Sequence, residues 1–188
     1  VNISQVLRAV PVGRRTVGLL GLAALLKAAM PVDQAAHSAA TSPLNLKRPP
    51  TPAQAKAGNY AKGHTSVAGI PITIENPAGT RRKPDQQPMT AHYGYIRGTV
   101  GKDGDQVDVF VRPSTANDWV GDVYVVNQVN ADDRFDEHKA MIGWPDERSA
   151  VRAYLGNYPR GWKLGPVVTM SSAQFKRWVQ TGDHTVPA

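Results

Sequence analysis

The chain has 188 residues, 41% hydrophobic and 20% charged, a length and balance that suit one core-forming domain with an appendage. It contains no cysteine, which excludes disulfides, zinc thiolate sites and cysteine nucleophiles. The formal net charge of +7 is carried entirely by residues 1–63, with eight Lys/Arg against one acid, whereas residues 64–188 hold fourteen of each sign; nucleic-acid binding by the neutral part is therefore disfavoured.

Residues 1–40 read as a basic and apolar arm. Within it, residues 16–30 form a short apolar run behind Arg14 and Arg15, interrupted by Lys27. That run is too short for a comfortable membrane span. It suits a docking or capping helix, or a signal-like segment with Ser38, Ala39 and Ala40 before a cut. Residues 41–62, rich in Pro, Thr, Ala and Lys, read as a linker, and residues 63–188 as the folded domain. There Ile70, Ile72 and Ile74 alternate with other residues, as do Val107, Val109 and Val111, and then Val123, Val125 and Val129 around Tyr124 and Val126. This is the period of half-buried strands. Turn formers separate the runs at residues 76–79, 101–104 and 112–114. Asp146 is placed to cap a helix reaching about Asn157, with Ala150, Val151, Tyr154, Leu155 and Tyr158 on one face. Ser171 and Gln174 make a capping box ahead of Phe175, Trp178 and Val179. Strands first and helices later predict an α+β fold: a small closed OB-like β-barrel with two C-terminal helices packed outside, preceded by the arm.

Four clusters carry chemistry. Asp103, Asp105 and Asp108 fall within six residues around Gly104; carboxylates gathered so closely repel one another unless a hard cation or a turn into solvent relieves them. A second cluster holds Asp132, Asp133, Asp136 and Glu137 with Lys139, either a surface charge run or a set of oxygen ligands with a phosphate-neutralising ammonium. His138 in the same run reads as structural. Glu75 leaves a strand into the turn Pro77-Ala78-Gly79, followed by Arg81, Arg82 and Lys83, a pattern suited to phosphate capture or to a charged hairpin tip. Tyr93, within His92-Tyr93-Gly94-Tyr95-Ile96, offers a hydroxyl.

In their order, these elements resemble the family I soluble inorganic pyrophosphatases. Glu75, Pro77 and Gly79 with Lys83, then Tyr93, then the aspartate signature Asp103, Asp105 and Asp108, then Asp132 and Asp133 ahead of Glu137 and Lys139, then Tyr158, match that family's series over about residues 63–165. His92 replaces its asparagine, Gln106 its proline, and Pro159 the lysine after the late tyrosine, leaving Arg160 or Lys163 as substitutes. The chain between Lys83 and Tyr93 is too short for the usual arginine-bearing hairpin, which leaves Arg81 or Arg82 as candidates to compensate. With the stretch around Phe135, this brings the chain closest to the pyrophosphatase-like domains of bacteriophage and mobile-element polyvalent proteins.

The resemblance implies Mg²⁺-dependent hydrolysis of inorganic diphosphate to two phosphates, with two or more Mg²⁺ held by Glu75, Asp103, Asp108, Asp132, Asp133 and Glu137. It implies Asp105 as the base, with Lys139 and Tyr93 also catalytic. Lys83, Arg81, Arg82, Tyr93, Lys139, Tyr158 and Arg160 would bind substrate. The alternatives are a catalytically weakened fold serving as a virion or interaction module, and a nucleotide or other phosphoanhydride as substrate. A homo-oligomer, and contact of the arm with a phage assembly, a membrane or nucleic acid, are the partners it allows besides diphosphate. The implied location is the cytoplasm of a cell or host, or a virion, with export through the signal-like segment as the other course.

Overall fold

The computed structural model describes residues 29–83 and 86–188; most of the apolar run at residues 16–30, with the reading of it as a helix or signal, lies outside them. Two short helices come first, α1 (Val32–Ser38) and α2 (Pro52–Lys56). Thr51 and Gln54 close a capping box on α2, with Pro52 in its first turn, where a missing N–H costs nothing. Then follow β1 (Gly63–Val67), β2 (Ile70–Asn76), β3 (His92–Ile96), β4 (Asp108–Val111), β5 (Asp122–Val129), β6 (Phe135–Ile142), α3 (Glu147–Leu155), β7 (Val167–Ser171) and α4 (Ser172–Thr181). The Asp146 cap and the Ser171–Gln174 box are both formed.

The seven strands make one mixed sheet in the order β1-β2-β3-β4-β6-β5-β7. The closed OB-like barrel is therefore corrected: the sheet is open, with β1 at one edge and β7 at the other. The reason lies in the strands' second faces. Val109 and Val111, Val123 and Val125, and Ala140 and Ile142 form one core with Val32 and Ala36 of α1 and Phe175 of α4. Between them, Phe110, Tyr124, Val126 and Met141 point the other way and form a second core with Ala150 and Tyr154 of α3. Apolar side chains on both faces require helices on both sides, whereas a small closed barrel has one packed interior.

The N-terminal residues contribute to this packing. Val32, Ala35 and Ala36 are buried, and α1 lies so close on β1 that a Cβ on Gly63 would stand 2.0 Å from the Ala35 carbonyl oxygen. No helix among the described residues is long and apolar enough to cross a membrane.

Candidate active site

The site forms where β2, β3, β4 and β6 lie side by side. Between Ile74 and Asn76 the register advances two residues on β2 for one on β3, so Glu75 is the extra residue of a bulge, a device that re-aims a side chain. The turn before β4 is closed by Gly101 N–H donating to the Asp105 carbonyl at 2.6 Å and Asp105 N–H donating to Asp103 Oδ1 at 3.0 Å. Gly104, at φ 86°, takes the left-handed conformation such a turn needs. β4 pairs parallel with β6, setting Asp108 beside Lys139, and Glu137 is on the same strand. As a result Glu75, Tyr93, Asp103, Asp105, Asp108 and Glu137 line one cavity of about 480 Å³ together with Lys62 and the end of α2.

Three of the five acids of that cavity, Glu75, Asp108 and Glu137, have lysine partners. Lys139 is buried and bridges Asp108 and Glu137, the latter at 2.8 Å. Tyr93 donates its hydroxyl to Asp108 at 2.6 Å. Burial works against the Lys139 ammonium, but Tyr93, Asp108 and Glu137 outweigh it and hold the group protonated well above the ordinary lysine range. Burial likewise raises the Tyr93 phenol and the Glu137 carboxyl, the latter despite Lys139. Lys62 pairs with Glu75 at 2.5 Å and lies 5.4 Å and 5.1 Å from the Tyr60 and Tyr95 ring centres.

The candidate phosphate-binding residues divide. Arg82 lies 5.3 Å from the Tyr93 ring centre and 5.8 Å from that of Tyr158, so Arg82, Tyr93 and Tyr158 come together, with Lys139 Nζ 5.6 Å from the Tyr93 ring. Tyr158 is stacked on Trp162, and burial raises its phenol. Arg81 turns away to donate to the Gln86 carbonyl, and Lys83 is exposed. Arg160 lines a separate cleft with Gln86, Gln87 and Tyr158. Asp132 and Asp133 occupy the exposed β5–β6 turn, where Asp133 pairs with Lys163 at 2.8 Å; neither lines the acidic cavity.

The expectation of a ready-made magnesium-binding centre is corrected. All-carboxylate donors suit a hard cation, but among the described residues no group of three or more His, Asp or Glu is arranged to hold a metal ion. The physical reason is that Lys62 and Lys139 already neutralise Glu75, Asp108 and Glu137.

Two features escaped sequence reasoning. Lys62 carries no motif, yet the β1–β2 hairpin turns at Ala68 and Gly69, both at positive φ, and pairs Gly63 with Ile74. Extending that register by one residue sets Lys62 opposite Glu75. The other is a relay that runs inward from exposed Trp162: Trp162 Nε1 donates to the Tyr154 hydroxyl at 2.9 Å, which donates to Gln128 Oε1 at 2.9 Å, while Gln128 Nε2 donates to Glu137 at 2.7 Å. Only the β5–β6 pairing of Gln128 with Glu137 assembles it.

A family model described as Inorganic Pyrophosphatase matches residues 52–180 of the chain, a span that starts at α2 and takes in every residue of the acidic cavity. No curated protein matches the chain.

Proposed function

The chain belongs to the inorganic pyrophosphatase family, and from that premise we propose that its acidic cavity hydrolyses inorganic diphosphate, taken as its magnesium complex, to two phosphates. The observation that carries the reading is the convergence of five carboxylates, from Glu75 to Glu137, on one cavity, with Lys139, Arg82, Tyr93 and Tyr158 grouped at Tyr93. A scaffold gains nothing from gathering like charges that must then be neutralised.

Diphosphate is itself anionic, so it enters an acidic cavity only with its charge covered. Magnesium bound to the substrate would supply that cover and would make the phosphorus easier to attack. Glu75, Asp103, Asp108 and Glu137, which line the cavity, would offer oxygen donors to such a complex. Asp105, exposed in its turn at the cavity, takes a proton from the attacking water. The water oxygen forms the new P–O bond, the bridging P–O bond breaks, and the leaving phosphate's charge is met by Lys139 and Arg82. Tyr93, whose hydroxyl is given to Asp108, holds that carboxylate in place. Tyr158 backs the Arg82 guanidinium. The bacteriophage or mobile-element setting and a cytoplasmic place of action belong to the same proposal, favoured by the short connection after Lys83.

Asp105→Asn should keep the fold and the cavity while slowing phosphate release on the order of 10²–10⁴-fold, the usual cost of losing a positioned base. Unchanged turnover in the purified variant would remove Asp105 from the role. A second reading is favoured by the lysine pairs on Glu75, Asp108 and Glu137: a weakened enzyme fold kept as an interaction module. In that case native chain and Asp105→Asn would release phosphate equally slowly.

A further inference from the structure

We propose that the N-terminal segment from Asp33 to Thr41 is a clasp that sets the bulge at Glu75 and thereby aims that carboxylate into the acidic cavity. Asp33, His92 and Thr41 are its positioning residues. The inference rests on the hydrolytic reading for its functional consequence, and on geometry for the clasp itself.

Asp33 lies in the first turn of α1. Its carboxylate accepts from Ser114 N–H at 2.9 and 3.1 Å, one contact to each oxygen, and from His92 Nε2 at 3.0 Å. On the other side of the same ring, His92 Nδ1 accepts from Ala78 N–H at 3.1 Å. A ring nitrogen that accepts an N–H carries no proton, so His92 is the neutral tautomer bearing its hydrogen on Nε2. Burial of the ring, which lowers its basicity despite Asp33, agrees with this. The imidazole is 1% exposed and is a rigid strut between α1 and the turn that follows Glu75.

Thr41 secures the other end. Its hydroxyl donates to the Glu75 carbonyl, and its own carbonyl accepts from Thr80 Oγ1 at 3.2 Å. A bulge leaves backbone groups outside the ladder, and a buried one without a partner is costly; Thr41 supplies that partner at the residue whose direction matters. Histidine where the resembling family has asparagine is thus matched by a helix that meets it: the longer ring reaches Asp33 on one side and Ala78 on the other. Residues 32–41 accordingly hold the Glu75 turn from both sides.

The test is a double-mutant cycle in the full chain. Asp33→Ala and Thr41→Val should each lower kcat/KM for magnesium diphosphate about tenfold, as expected for a misplaced group near the chemistry, and neither should lower it further in a Glu75→Gln background. Equal losses in both backgrounds would mean that the segment acts only on the fold, and would overturn the proposal. A second readout needs no activity: amide hydrogen exchange at Ala78 should be at least about tenfold faster in Asp33→Ala, since one hydrogen-bonded support of its acceptor is gone. Unchanged Ala78 protection overturns the clasp whatever the activity. Faster exchange in a chain that never hydrolyses diphosphate leaves the clasp standing and removes the hydrolytic reading. Thr41→Val deletes one hydroxyl from a half-buried site and keeps the cycle measurable should Asp33→Ala not fold.

Discussion

His138 stands between Glu137 and Lys139 in sequence but faces away from both. Strand alternation sends the two charged side chains toward the acidic cavity and the imidazole into the opposite layer, where it packs against Phe135 at 4.7 Å and Trp178 at 5.0 Å. It is 2% exposed, and neither ring nitrogen has a hydrogen-bond partner among the described residues. Burial, with a smaller contribution from His184, lowers its pKa to about 4. The unfolded chain takes up a proton near pH 6.5 that the folded chain refuses until about pH 4. The stability this group contributes is therefore fully present above pH 6.5 and is lost as pH falls to about 4, a slope worth on the order of 3 kcal/mol. Urea midpoints measured between pH 7 and 4.5 should fall, and His138→Leu should flatten the fall; identical slopes in both chains would contradict it. The sequence alone suggested a structural histidine here, because imidazole is a poor partner for magnesium. The partners of Lys139, Glu75 and Glu137 were not legible, because each ion pair depends on how strands distant in sequence align.

Among the elements, α1 and β6 separate what pattern reveals from what it hides. The strands at β2, β4 and β5 and the capped helices α3 and α4 follow from local alternation and end signals, and these could be read directly. β6 could not. Its first half carries Asp136, Glu137 and Lys139, which look like a surface turn, and its second half, Ala140-Met141-Ile142, is buried on both faces, so no alternation marks it. A strand lying between one parallel and one antiparallel neighbour is apolar on both sides where helices cover both faces. α1 was hidden for another reason: a helix of Val32–Ser38 is too short to show a stripe, and what it packs against begins at Gly63. Since a Cβ there would meet the Ala35 backbone at 2.0 Å, Gly63→Ala should force α1 off β1 and cost about 1–3 kcal/mol. Thermal unfolding of that variant checks this; an unchanged midpoint would mean that α1 is not held against β1.

For the whole molecule, sheet topology and candidate site are one arrangement. The parallel contact of β4 with β6 brings the aspartate signature to Lys139, the bulge in β2 brings Glu75, the residue before β1 brings Lys62, and the end of α2 borders the same cavity. Closure of the sheet was the wrong inference because alternation defines which face of a strand is buried but not which strand ends the sheet. A resident metal cluster is not found among the described residues, where Lys62, which no motif announces, and Lys139, expected to face phosphate, instead pair with three of the acids. The central claim is hydrolysis of diphosphate in this cavity, and phosphate release by the purified full chain tests it most directly. Release should be seen with magnesium and diphosphate together, should be absent with either alone, and should fall on the order of 10²–10⁴-fold in Asp105→Asn. Phosphate release from diphosphate that is no faster than the uncatalysed rate at any magnesium concentration would contradict the account.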